Sequence, residues 1–475
     1  MRLDSLTLTN FRCFSHLHVD LHPQLTVLIA PNGMGKTTIL DAARIALWPY
    51  VKGFDLGSQT GKSATIQIDD VRLAPKAEGN MEPQLPSSIT ANGFVYSRDR
   101  RDFETDEITW QQRRERVKPG TNTLADAATK TLTKLAQFME GDVRASTTDI
   151  PVCTLPLISY LGTGRLWYQS RYTSEAADVT LKKSEYSRLS GYLNCLTQSS
   201  NFKQFVDWYG WVYRSYREDQ ILAIENGVQL DESTNFFAQA IHVVKSSVNC
   251  LITEMTGWRD IAYSAKYHQQ LVLSHPEQGT LPLEMLSDGL RNMVAMVADL
   301  AFRAFKLNPH LKHEAAKQTK GIVLIDEVDM FLHPSWQQTV LASLRTAFPN
   351  IQFIVTTHSP QVVTSIKREN IRIIENDADG GPIAISPREE VIGVESQVAL
   401  NKVLGTNPVP PVEPARWLND YIAKIEDGSY LDEDGQKLRQ RLLELYGPTH
   451  PLMLDADRLI RFQEFKLKKQ AGRKE

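Results

Sequence analysis

The chain has 475 residues, 42% of them hydrophobic, enough for one large or two ordinary domains with a sizeable core. Its formal net charge of −3 excludes bulk attraction to a polyanion, so contact with nucleic acid would need a local basic patch. Four scattered cysteines, Cys13, Cys153, Cys195 and Cys250, with no CxxC pair, argue against zinc and against a disulfide framework, and fit a reducing cytoplasm. No apolar run approaches the roughly 20 residues that span a bilayer, and the start lacks the basic-then-apolar pattern of a secretory signal, so a cytoplasmic location without membrane contact is expected.

In chain order, LDSLTLTNF and LTVLIA read as strands, and the second runs directly into APNGMGKTT, Ala30 to Thr38, and then a stretch with helical apolar spacing. A glycine-rich turn between strand and helix presents backbone N–H groups to phosphate oxygens. Asn32, Gly33, Gly35 and Thr38 belong to that turn, Lys36 would reach the β- and γ-phosphates of ATP, and Thr37 would bind Mg²⁺. Ala30 stands where the strict pattern has its first glycine. Between Val51 and Ser97 the spacing predicts a strand over SATIQIDDVRLA. Residues 98–280 then shift in composition and read as a compact, mostly helical insertion, with a buried strand in LPLISYLGTGRLW and an aromatic segment whose Trp208 and Trp211 suit a core or interface.

After Leu281 the pattern returns to α/β. LSDGL opens an amphipathic helix, with Ser287 as its N-cap and Gly289 keeping the backbone close. GIVLIDEVD and IQFIVTTHSP suit parallel strands covered on both faces. They end in Asp326, placed to hold Mg²⁺ through water, in Glu327, placed to orient or deprotonate an attacking water, and in His358, placed for the γ-phosphate. The histidines of HLKHE, His310 and His313, lack the HExxH spacing. A proline-rich connector, NPVPPVEP, leads to helical segments with a basic end.

Taken in order, GMGKTT, LSDGL, LIDE and TTH resemble the nucleotide-binding heads of ABC-type ATPases, in the RecF, SMC and OLD-like branch, over about residues 1–73 and 281–392. LTLTNFRCF is similar to that branch's N-terminal strand pair, and FLHP to its D-loop region. The resemblance implies an α/β head with a mixed sheet flanked by helices, ATP and Mg²⁺ as cofactors, and a signature serine and glycine, Ser287 and Gly289, that close over the ATP of a second subunit. It also implies a nucleotide-proximal arginine, matched by Arg12, and a Q-loop glutamine, matched by Gln67, which equally fits an ordinary strand position. The implied parts are residues 1–97 and 281–392 for the head, 98–280 for the insertion, and 393–475 for a helical, partner-docking region.

With no coiled coil and no fused nuclease, the layout is most similar to the PtuA-type ATPases of Septu and related retron defence systems. That implies a homodimer or higher homo-oligomer and a partner HNH nuclease of the PtuB kind, joined in a retron by a reverse transcriptase and its RNA/DNA product. The alternative is a RecF/SMC-like repair ATPase that clamps DNA directly, with Arg98, Arg100, Arg101 and the basic tail contacting phosphates. Ala30 and the aspartate of LSDGL depart from the family pattern and imply slow hydrolysis, with ATP acting chiefly as a clamp.

Overall fold

Alternating burial builds the first layer: in β1 (Arg2–Phe11) Leu3, Leu6 and Leu8 point into the core while Thr7 and Thr9 do not. β1 pairs antiparallel with β2 (Phe14–Asp20). The wholly buried β3 (Leu25–Ile29) leads into α1 (Lys36–Val51). Short β4 (Leu73–Pro75) and β5 (Met81–Pro83) pair with each other, and then β6 (Ser87–Tyr96), β7 (Thr105–Arg114) and β8 (Leu124–Ala125) follow. These complete an antiparallel sheet in the order β2-β1-β6-β7-β8. The computed structural model describes residues 1–56, 63–76, 79–96, 105–119, 123–146, 153–166, 187–197 and 202–471. Arg98, Arg100 and Arg101 lie outside the described residues.

The described residues between 98 and 280 include the long helices α2 (Ala127–Ala145), α3 (Phe202–Glu225) and α4 (Phe236–Thr256). The same stretch supplies strands to neighbouring layers. β9 (Leu157–Leu161) joins a parallel sheet, and β10 (Arg259–Ser264), β11 (Gln270–His275) and β12 (Gly279–Pro282) make a three-stranded meander. Trp208 is buried in the core with its ring 4.8 Å from that of Phe302, and the half-buried Trp211 lies edge-on to Phe237 at 5.2 Å.

The chain continues through α5 (Asp288–Leu307), α6 (Ala315–Gln318), β13 (Gly321–Ile325), α7 (Pro334–Gln337), α8 (Val340–Ala347), β14 (Ile351–Thr356), α9 (Pro360–Val363), β15 (Ile371–Asn376), β16 (Pro382–Ile385) and α10 (Ser396–Lys402). The six-stranded sheet runs β16-β15-β3-β14-β13-β9, with every pair parallel except β15 with β16. β3, β13 and β14 are buried along their whole length, as a sheet covered on both faces requires. Because these strands are parallel, the segments that follow β3, β13 and β14 all leave from one edge, where ligands of such sheets bind.

The expected strand over SATIQIDDVRLA is not formed as such. Ser63–Gln67 is irregular, Ile68–Asp70 is a 3₁₀ turn, and only Leu73–Pro75 is strand. The buried Asp70 carboxylate accepts from Gln67 N at 2.8 Å and from Arg12 Nε at 2.8 Å, which bends the chain where alternation alone suggested extension.

The chain divides into two units, Met1–Ala399 and Leu400–Glu475. The second contains α11 (Glu413–Glu426), α12 (Glu433–Tyr446) and α13 (Pro451–Ala471) around a core of Tyr421, Ile425, Leu442, Met453 and Ala456. No helix among the described residues is long and apolar enough to cross a membrane.

Candidate nucleotide site

The loop between β3 and α1 turns on two glycines in the left-handed region, Gly33 at φ 83° and Gly35 at φ 89°. At Gly35 a side chain would also strike the Phe14 ring at 2.5 Å and Cys13 Sγ at 2.6 Å, so the first hairpin packs against the loop from behind. Ala30 is buried, and its methyl is taken up within the core. Lys36 Nζ donates to the carbonyls of Ala30 at 2.8 Å and Pro31 at 3.4 Å. Burial pushes its pKa down, opposed by the charges of Asp326, Glu327 and Asp329. Asn32 and Gly33 are exposed in the turn. Thr38 is buried and shares a hydrogen bond with the Cys13 thiol, away from the pair that Thr37 makes.

That pair joins the loop to the end of β13. Thr37 Oγ1 donates to Asp326 Oδ2 at 3.0 Å, and Thr356 Oγ1 donates to Asp326 Oδ1 at 2.6 Å. Glu327 follows in the left-handed region at φ 48°, its N–H donating to Thr356 Oγ1 at 2.7 Å. One threonine thereby fixes both acids. Thr357 Oγ1 donates to Asp329 Oδ1 at 2.5 Å, and Ser359 Oγ donates to Gln337 Oε1 at 2.6 Å. Between them His358 is exposed. Desolvation and the nearby Lys36 charge lower its pKa, against Asp329, Glu327 and Asp326. Lys36, Thr37, Asp326, Glu327 and His358 are thus brought near one another at these strand ends. Thr356, Thr357, Ser359 and Gln337 were not singled out by sequence, although the run of hydroxyl residues around His358 was a signal.

Ser287 takes extended N-cap dihedrals before α5, but its exposed side chain makes no capping hydrogen bond. Its carbonyl accepts from Arg291 N at 2.9 Å, and the neighbouring Asp288 pairs with the Arg291 guanidinium. Gly289 lies against the turn after β13: a Cβ there would come within 2.5 Å of the Phe331 carbonyl oxygen. Asn292, fully buried, donates from Nδ2 to the Met330 carbonyl at 2.8 Å.

Arg12 holds Asp41 of α1 at 2.7 Å and Asp70 at 2.8 Å, bracing the first hairpin against α1 and the turn. Burial works against its charge, but the two carboxylates prevail and raise its pKa. Gln67 is exposed on the irregular segment, with its side-chain amide on Thr65. Among the described residues no group of three metal-ligating acids, histidines or cysteines occurs. His310 bonds to Thr154 and His313 faces His242, so the HLKHE pair does not converge.

A family model described as an AAA domain matches residues 5–234, and one described as an AAA domain, putative AbiEii toxin of a type IV toxin–antitoxin system, matches residues 184–364. The chain is similar to the Retron Vc95 probable ATPase of Vibrio cholerae serotype O1 biovar El Tor, 25% identical over 92% of this chain and 84% of that one. It is similar to the Retron Ec83 probable ATPase of Escherichia coli at 26% identity over 96% and 86%. The Septu protein PtuA of Bacillus mycoides matches a shorter stretch, 44% identical over 16% of this chain and 10% of that one. These matches support an ATPase with AAA-type domains. It is similar to ATPases of retron and Septu systems and to an OLD nuclease.

Proposed function

We propose that two copies of this chain close over two ATP molecules, hydrolyse them, and through that closure control a partner HNH nuclease of the PtuB kind in anti-phage defence. The observation that carries the two-copy reading is the start of α5, a 20-residue helix whose N-cap serine leaves its first N–H groups without a side-chain acceptor. Open N–H groups and the positive end of a helix suit a phosphate, and the glycine that follows lets the helix start lie against the Phe331 turn. In the family this start of α5 serves the ATP held by the other copy.

Within one copy the chemistry follows from the strand ends. Backbone N–H groups around Gly33 and Gly35 cradle the phosphates, and Lys36 exchanges its two carbonyl partners for phosphate oxygens. The hydroxyl of Thr37 and the carboxylate of Asp326, already side by side, are the hard oxygen donors that Mg²⁺ takes, and would hold it. Bound there, the ion would spread charge from the β- and γ-phosphates. Glu327 orients a water for in-line attack on the γ-phosphorus and accepts its proton as the bond to the ADP oxygen breaks. Neutral His358 hydrogen-bonds to the γ-phosphate.

The nuclease partner is supported by the kinship with retron and Septu ATPases, and in a retron the assembly would include a reverse transcriptase and its RNA/DNA product. The DNA-clamping alternative rests on the basic tail and on Arg98, Arg100 and Arg101, the three arginines lying outside the described residues. A mixing experiment tests the composite site. Lys36→Ala and Ser287→Arg chains, each inactive alone, should recover ATP hydrolysis when combined, because one site of the mixed pair keeps an intact Lys36 and an intact Ser287. A silent mixture of folded chains would overturn the two-copy reading. Co-purification with an HNH nuclease encoded beside it tests the partner, and failure to bind it in both ATP and ADP would remove it.

A further inference from the structure

We propose that Gln337 is a positioning residue for ATP hydrolysis, which holds the exposed His358 in place by clamping the loop that carries it. The inference rests on the reading of His358 as the γ-phosphate contact. His358 is flanked by two side chains, one reaching the turn after β13 and the other the end of α7 just beyond it. Thr357 donates to Asp329 at 2.5 Å on one side, and Ser359 donates to Gln337 Oε1 at 2.6 Å on the other. Gln337 is itself fixed from its amide nitrogen, which donates to the Leu332 carbonyl at 2.9 Å and lies 3.5 Å from the Asp329 carbonyl. Its amide therefore uses a donor on one loop and its acceptor on the other, a bridging role that neither a carboxylate nor an apolar side chain can reproduce.

The geometry explains why His358 can be exposed and still have a direction. Its own ring is not the anchor; the residues on either side are. Ser359 also caps α9 through Val362 N at 3.2 Å, and its N–H bonds to Thr357 Oγ1 at 3.0 Å, so the flanking residues brace one another. Loss of the Gln337 link leaves the Ser359 hydroxyl only its longer contact to Gln361 Oε1, at 3.1 Å, and loosens one of the two mounts. The imidazole then samples more positions, and a phosphate contact that depends on sub-ångström placement weakens in the transition state.

The test is steady-state ATP hydrolysis by the full chain carrying Gln337→Met, His358→Ala or both, with ATP affinity and melting temperature measured for each. We expect Gln337→Met to lower kcat about ten-fold with ATP affinity kept, and to add nothing further in the His358→Ala background. A ten-fold loss repeated in that background would mean that Gln337 acts elsewhere and would overturn the proposal, as would an unchanged kcat in Gln337→Met while His358→Ala is impaired. An unaltered kcat in His358→Ala would instead remove the underlying reading of the histidine, and the proposal with it. If Gln337→Met does not fold, Ser359→Ala cuts the same link from the other side and faces the same two criteria.

Discussion

The two ends of α5 are built in opposite ways. At its start Ser287 is exposed and offers no side-chain cap, while at its far end nearly everything is tied. Arg188 Nε donates to the Leu307 carbonyl at 2.7 Å, bringing a positive charge to the negative end of the helix. Asn308, fully buried, bonds to both the N–H and the carbonyl of Leu155 and to Thr319. One turn earlier, buried Arg303 holds Asp299 at 2.8 Å and the carbonyls of Gly191 and Leu193. A helix anchored at one end keeps the direction of the other, so the unfilled N–H groups at Ser287 are presented as a fixed element. That is what a phosphate belonging to a second copy would need.

The anchored end breaks most severely at its ion pair. Asp299→Ala leaves the Arg303 guanidinium buried without its carboxylate, and we expect a loss of about 3–5 kcal/mol in urea unfolding. Replacing both residues by apolar ones of similar volume should recover most of it. A loss below about 1 kcal/mol in the single variant would mean that the pair does not anchor the helix.

At the open end the sharpest change is Gly289→Ala. The new methyl would meet a backbone carbonyl, that of Phe331, at 2.5 Å, and backbone yields less readily than a side chain. We expect a cost of about 1–3 kcal/mol, larger than the gain in helix propensity of about 1 kcal/mol, together with reduced turnover. Gly141, inside α2 with nothing within 4 Å of the place a methyl would take, is the control, and alanine there should raise the melting temperature. Equal effects at the two glycines would show that the Phe331 contact does not matter. A gentler probe of the same end is Asp288→Asn, which removes a negative charge from the proposed phosphate seat and leaves Arg291 without its partner. ATP-driven association should tighten a few-fold, by analogy with the roughly 0.3–1 kcal/mol of charge effects at helix ends. Analytical ultracentrifugation with the Glu327→Gln background reads it, and weaker association would reverse the sign assigned to Asp288.

How far the sequence carried differs between these regions for physical reasons. The glycine loop, Lys36, Thr37, Asp326 and Glu327 are legible because phosphate chemistry restricts both residue type and spacing. The supporting layer is not: Thr356, Thr357, Ser359 and Gln337 are ordinary polar residues whose partners lie on other segments, and only the folded chain shows which hydroxyl meets which acid. Gln67 shows the opposite hazard. Local alternation there predicts a strand, but Arg12, far away in sequence, and Asp70 fix a turn instead. The place of LISYL beside β13 likewise depends on pairing along its full length with a distant strand, and on Gly321, where any side chain would collide with the Leu157 carbonyl.

The smallest expected effect lies just beyond the anchored end, and it depends on pH. His310 bonds to Thr154 Oγ1 at 3.1 Å, and burial, with the adjacent Arg188 charge, pushes its pKa down from 6.5 to about 4. The folded chain therefore binds fewer protons here than the unfolded chain between those two values, so this contribution to stability is whole above pH 6.5 and fades as the pH falls towards 4. Since the ring is only half-buried, solvent screening keeps the effect modest. His310→Asn should melt with a shallower decline than the parent over that interval, while the two curves run parallel above it. Parallel curves throughout would mean that protonation at His310 does not destabilise this end of α5, and that its acid sensitivity arises from other groups.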